Sequence, residues 1–136
     1  MKSLDLIYVS YNSEKWIDNC FKSLFESDYD LKLINVYVVD NHSSDKSVEK
    51  LKNVQKNAEN FVHSFQIIET NKNLGFGKAN NFGFSKGSSE YVCFFNIDTE
   101  LFPHTLERLT EEIQTLRLQC GNSDSSPMNI RNCMIR

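Results

Sequence analysis

Four short apolar runs alternate along this chain with stretches whose apolar residues recur at helical spacing, and that alternation argues for a parallel α/β sheet. The runs are Leu6–Val9, Ile34–Val39, Phe65–Ile68 and Tyr91–Phe95. Each is rich in β-branched or aromatic residues, as strands covered on both faces are. Between them, Trp16, Ile17, Cys20, Phe21, Leu24 and Phe25 give residues 14–26 an apolar side, and Val48, Leu51 and Val54 give a second helix a weaker one. A third helix is expected to begin within residues 71–83 and to run to about Lys86. Pro103 precedes Leu106, Leu109, Ile113 and Leu116, where a first helical turn accepts proline. Crossovers between such parallel strands are right-handed.

The 136 residues have the length of one domain, and 40% hydrophobic content with 12% aromatics suffices for a core. Residues 1–118 read as that domain. Residues 119–136 contain Gly121-Asn122-Ser123-Asp124-Ser125-Ser126-Pro127 and hold no sustained period, so they read as an irregular or disordered tail. A formal net charge of -3, from 15 basic and 18 acidic residues interspersed, offers no basic stripe for a nucleic acid. Asp5 interrupts the apolar start that a signal peptide would need, and no apolar run approaches the ~20 residues that span a bilayer. The expected location is the cytoplasm, free or at the inner face of the membrane. Cys20 and Cys93 fall on apolar faces and read as buried free thiols, while Cys120, Cys133 and the scattered histidines show no metal-ligand spacing.

Polar residues that follow the apolar runs fall at the carboxyl ends of parallel strands, where α/β proteins bind ligands. Ser10-Tyr11-Asn12-Ser13 ends the first strand and has the chemistry to cap a helix. Asp40 ends the second, before Ser43-Ser44-Asp45; it suits a base or ribose, and taken alone it suits a cap for the next helix. Asp98, flanked by Asn96, Thr99 and Glu100, follows the fourth strand. A hard divalent ion held by one carboxylate and by substrate phosphates fits there, and so does a simple turn. The Asn/Gly-rich stretch Asn73–Gly83 suits a diphosphate, with backbone N–H groups and Lys78 to receive it. Neither a Gly-x-x-x-x-Gly-Lys-Ser/Thr loop nor a Gly-x-Gly-x-x-Gly turn after the first strand is present, which argues against a P-loop NTPase and a dinucleotide oxidoreductase.

Taken in order, these segments resemble the nucleotide-binding half of a family 2 glycosyltransferase with the Rossmann-like GT-A fold, which implies the strand order 3-2-1-4. The likeness rests on Ser10-Tyr11-Asn12, on Asp-Asn-x-Ser-x-Asp-x-Ser from Asp40 to Ser47, on Asn-Leu-Gly-Phe-Gly-x-x-Asn-Asn-x-Gly from Asn73 to Gly83, and on Asn96-Ile97-Asp98-Thr99. By this resemblance Ser10, Tyr11, Asn12 and Asp40 line the base and ribose, Asn73, Gly75 and Lys78 lie near the sugar diphosphate, and Asp98 takes Mg²⁺ or Mn²⁺. Asn96 stands where many members have the first Asp of an Asp-x-Asp motif, as in the branch that is similar to rhamnosyltransferases.

The resemblance implies a donor linked to UDP or dTDP, a glycan or lipid-linked acceptor of surface polysaccharide synthesis, and inverting transfer. In the family a carboxylate base in the second half of the domain takes the acceptor proton. No catalytic base is assigned here. Glu111 and Glu112 suit a solvated helix face and Glu100 suits a turn. Residues 119–136 do not resemble the family's continuation, so the chain is expected to keep only the donor-binding half. The alternative is an inactive fragment or nucleotide-binding module that needs a partner chain, with apolar faces left open to self-association.

Overall fold

Every residue of the first strand, β1 (Leu4–Ser10), is buried, because neighbours flank both its edges and helices cover both its faces. The computed structural model describes residues 1–120, 129–130 and 133–135. After β1 come α1 (Ile17–Phe25), β2 (Ile34–Asp40), α2 (Ser47–Ala58), β3 (Ser64–Glu69), α3 (Phe76–Lys86), β4 (Tyr91–Asn96), α4 (Thr105–Cys120), β5 (Asn129–Ile130) and β6 (Cys133–Ile135). The sheet order is β3-β2-β1-β4-β6-β5. Its first four strands are parallel in the expected 3-2-1-4 order, with Leu4 opposite Ile34 on one side and Tyr91 on the other.

The tail departs from expectation. β6 pairs antiparallel with β4, Tyr91 opposite Ile135, and β5 pairs with β6, so residues 129–130 and 133–135 extend the sheet. Helix α4 also runs on to Cys120. The rest of the expected irregular tail lies outside the described residues.

Alternation along the strands sorts the side chains into two layers. Leu4, Leu6 and Tyr8 with Ile34, Val36 and Val38 face α1, α2 and α4, which contribute Phe21, Leu51 and Leu106 among others. Tyr8 lies at the centre of this layer, 5.1 Å from the Phe21 ring and 5.7 Å from that of Phe95. On the opposite face Ile7, Val9, Val39 and Val92 meet α3. There Phe84 stacks on Phe94 at 6.2 Å. A Cβ at Gly83 would stand 2.6 Å from a methyl of Ile7 and 3.2 Å from one of Val39, so the missing side chain is what lets α3 lie this close to the sheet.

Two cysteine and helix-start expectations are revised. Cys20 is a buried free thiol as expected, but Cys93 is disulfide-bonded. The N-cap residues of α1 and α2 are Trp16 and Lys46, neither of which makes a side-chain cap bond; the Ser13 hydroxyl bonds Tyr11 instead, while Asp45, one residue before Lys46, accepts the Ser47 N–H that opens α2.

Candidate functional site

After β1, β2 and β4 the chain turns to helices on one face of the sheet, whereas after β3 it turns to α3 on the other, and the loops leave a crevice between them at the strand ends. An open cleft of about 580 Å³ occupies it, lined by Val9, Tyr11, Asn12, Ser13, Trp16, Asn41, Asn73, Gly75, Phe76, Asn96, Ile97 and Asp98.

Its floor is made by two loops tied to each other. After β1 the backbone turns through Asn12, whose positive φ of 48° asparagine tolerates. Asn12 N–H then donates to Ser43 Oγ at 2.9 Å, and Asn12 Oδ1 accepts Ser44 N–H at 2.9 Å. Ser13 N–H donates to Ser47 Oγ at 2.7 Å, and Glu14 N–H to Asp45 Oδ2 at 3.2 Å. Lys46 N–H returns to Glu14 Oε2 at 2.9 Å. These bonds explain the spacing Asp-Asn-x-Ser-x-Asp-x-Ser: Ser43, Asp45 and Ser47 bind the backbone of the neighbouring loop. Burial pushes the Asp45 carboxyl up, but the Ser47 hydroxyl and the Ser47 and Glu14 N–H groups outweigh it and hold the carboxyl below its usual range.

The cleft wall on the α3 side is the turn into that helix. Gly75 has φ 81°, and Gly75 N–H donates to Asn73 Oδ1 at 2.8 Å. On the opposite wall Asn96 O accepts Thr99 N–H at 3.2 Å and Thr99 Oγ1 at 2.6 Å, a turn that presents Asp98. This loop runs along α1, with Leu101 N–H on Ser23 Oγ at 2.9 Å. Burial, and then the nearby Asp98 and Glu100 carboxylates, push the Cys20 thiol up to about 12.

Of the residues expected from sequence, the cleft gathers Tyr11, Asn12, Asn73, Gly75, Asn96 and Asp98. Ser10, Asp40 and Lys78 stand outside its lining. Ser10 is fully buried, and its hydroxyl finds no partner among the described residues. Asp40 is 1% exposed, with both carboxylate oxygens occupied by Ser43. Lys78 is exposed on the first turn of α3. The lining also includes Val9, Ser13, Trp16, Asn41, Phe76 and Ile97, to which the sequence assigns no ligand role. Trp16 falls by spacing on the apolar stripe of α1, yet it is 44% exposed, because the start of that helix lies beyond the sheet end, where apolar residues meet the cleft. Phe76 and Asn41 belong to the quoted patterns but carried no role.

A divalent ion suits the chemistry here. Asp98 is exposed in the cleft, and no described residue forms a hydrogen bond or ion pair with its carboxylate. Among the described residues no cluster of three His, Cys, Asp or Glu forms a protein cage, so an ion at Asp98 would lean on ligand oxygens, as Mg²⁺ and Mn²⁺ do at phosphate sites.

The family model described as Glycosyl transferase family 2 matches residues 5–135. The chain belongs to that family. The match reaches residue 135, so the expected departure from the family at residue 119 is not found. This family 2 chain is 28% identical over 112 residues to an uncharacterized glycosyltransferase of Nostoc sp., across 82% of the chain and 33% of the relative. It is 31% identical over 107 residues to the poly(ribitol-phosphate) beta-N-acetylglucosaminyltransferase TarS of Staphylococcus aureus, across 79% of the chain and 18% of TarS.

The crystal structure of TarS 1-349 in complex with UDP-GlcNAc aligns with a TM-score of 0.73 at 25% identity, over 83% of this chain and 31% of that one. A mannosyltransferase from Pyrobaculum calidifontis in complex with GDP-Man and Mn²⁺ shares the fold, with a TM-score of 0.76 at 20% identity over 81% of this chain and 32% of the other. The fold is GT-A-like, and the chain spans about a third or less of the length of these relatives.

Proposed function

We propose that this chain binds a nucleoside-diphosphate sugar in the cleft between β1 and β4, as the donor-binding part of a metal-dependent, inverting glycosyltransferase. The observation that carries this reading is the convergence of Tyr11, Asn12, Asn73, Gly75, Asn96 and Asp98 on one crevice at the strand ends. UDP-GlcNAc and GDP-Man in the TarS and mannosyltransferase complexes support a nucleotide sugar as ligand. The acceptor we infer is a glycan or a lipid-linked glycan, in keeping with poly(ribitol-phosphate) in the name of TarS and undecaprenol in that of a Campylobacter jejuni relative.

In this reading Tyr11 supplies an aromatic face for the base and Asn12 helps bound its pocket, while the turn Asn73–Phe76 receives the diphosphate. Asn96 and Asp98 face the phosphates from β4, and Asp98 holds Mg²⁺ or Mn²⁺. A bound metal offsets the charge that gathers on the leaving diphosphate. Transfer to an acceptor needs a base, and no described residue is assigned that role. Among the described residues no helix is long and apolar enough to cross a membrane.

A second reading, a binding module that needs a partner chain, is favoured by one observation: among the described residues α3 is the one helix on its face of the sheet, with Ile68 and Phe94 only partly buried and Phe82 36% exposed. A monodisperse monomer in light scattering would exclude it.

Thermal unfolding with UDP, dTDP and GDP, each with and without Mn²⁺, tests the first reading, since a ligand at about 100 times its Kd adds roughly 2.7 kcal/mol to the folded state. A metal-dependent rise with a nucleotide is expected, and Asp98→Asn should remove its metal-dependent part. Equal affinity of Asp98→Asn and the parent chain in Mn²⁺ would overturn the role of Asp98.

A further inference from the structure

Resting on the donor-site reading, we propose that Asn41 is a positioning residue whose side-chain amide sets the diphosphate-facing turn Asn73–Phe76 against the strand ends. Its backbone and side chain join three parts of the site. Asn41 N–H donates to Ser10 O at 2.7 Å, fixing the residue beside the end of β1. Asn41 Oδ1 accepts Leu74 N–H at 2.7 Å, and Asn41 Nδ2 donates to Gly75 O at 3.3 Å. One amide therefore holds the N–H of one residue and the carbonyl of the next, which fixes both the place and the direction of that stretch.

The choice of side chain follows from this geometry. A carboxylate at position 41 would accept from Leu74 but oppose Gly75 O, and an aliphatic residue would meet neither. Gly75 O also accepts Ala79 N–H at 3.2 Å, so the group held by Asn41 belongs to the first turn of α3 as well. The turn's remaining ties are local or lie before it. Gly75 N–H bonds Asn73 Oδ1, and Thr70 bonds Asp40 O through N–H and Oγ1, each at 3.0 Å.

Asn41 is only 3% exposed, so its amide is spent on the protein while it borders the cleft. Without it, Asn73, Gly75 and Phe76 lose their link to β2 and the diphosphate loses a preset surface.

The test compares nucleoside diphosphate with the matching monophosphate in calorimetric titrations of the parent chain, Asn41→Leu and Asn41→Ala. A purely structural contact would weaken both ligands alike. The expected result is that the variants lose about ten-fold of the preference for diphosphate over monophosphate, with monophosphate affinity kept. Hydrogen exchange at Leu74 N–H should also accelerate in variants whose circular dichroism is unchanged. Asn41→Ala, which adds no bulk, serves if Asn41→Leu does not fold.

A parent chain that binds diphosphate no better than its variants, or variants that lose both ligands equally, would overturn the role of Asn41 alone. A folded parent chain that binds neither nucleotide would overturn the donor-site reading, and this assignment with it.

Discussion

Ser43 holds both oxygens of Asp40: its N–H donates to Oδ2 at 2.9 Å and its hydroxyl to Oδ1 at 2.6 Å. Asp40 is 1% exposed, so this pairing is what keeps a carboxylate stable at the end of β2 without a ligand. Ser43 Oγ also accepts Asn12 N–H, so the same hydroxyl ties the loop after β1 to Asp40. Ser43→Ala removes the hydroxyl and leaves the N–H bond. It should cost about 1.5–3 kcal/mol, the range for a hydrogen bond to a charged group, read as a lower urea midpoint with unchanged slope.

The close approach of α3 to the sheet gives a paired test. Alanine at Gly83 gains helix propensity of about 1 kcal/mol, but its Cβ meets Ile7 and Val39, and overpacking of this kind costs roughly 1–3 kcal/mol. At Gly77 a Cβ meets nothing within 4 Å. Gly83→Ala should lower the melting temperature and Gly77→Ala should raise it. A rise in both would show that α3 packs more loosely than the Ile7 contact implies.

The elements and the layers were legible because they follow from period, alternation in the strands and helical stripes that reached the sheet in α1, α2 and α4, whereas the strand order was implied by the family resemblance. The residues at the strand ends were only partly legible. Ser43-Ser44-Asp45 has good capping chemistry, and Asp45 does accept Ser47 N–H at the start of α2, but Ser43 Oγ and Asp45 Oδ2 also accept N–H groups of the loop after β1, and no local pattern carries that pairing. Trp16 fits the apolar stripe of α1 by spacing, yet it precedes the first helical residue and stands over the cleft. β5 and β6 gave no signal because strands this short show no period, and β6 owes its place to pairing with β4.

Asp45 gives the loop lacing a pH dependence. Its hydrogen bonds hold the folded-state pKa below the unfolded value despite the opposing effect of burial. Such a group stabilises the fold above the unfolded pKa, and the contribution is lost as pH falls through the folded pKa. Stability should therefore decline on acidification below about pH 4. Asp45→Asn should be less stable than the parent chain at neutral pH, with the gap narrowing in acid; a gap independent of pH would exclude the carboxylate as its source.

Cys20 should be inert in the folded chain. Its thiol is buried and stays protonated up to about 12, first through burial and then through the Asp98 and Glu100 carboxylates, and the thiolate is the reactive form. Iodoacetamide at pH 8 followed by peptide mapping should leave Cys20 unmodified in native protein and modify it in urea. Removing the Asp98 charge leaves the larger effect, burial, in place, so Asp98→Asn should not expose it. Rapid native labelling would mean that α1 opens from the sheet.

Trp16 is the sole tryptophan in the sequence, and it lies on the cleft wall with 44% exposure, beside the loop that carries Asp98. Its indole is exposed enough to sense the cleft, and α1 begins at the next residue, which fixes its backbone. A nucleotide that fills the cleft must displace water from this ring or touch it, and either event changes the emission. Titration with a nucleoside diphosphate and Mn²⁺ should therefore give a saturable fluorescence change with the same Kd as calorimetry. In Asp98→Asn that change should lose its dependence on Mn²⁺ while Trp16 remains the reporter. Binding seen by calorimetry with a silent Trp16 would place the nucleotide outside this cleft, because no other indole contributes and a ligand here cannot avoid that wall.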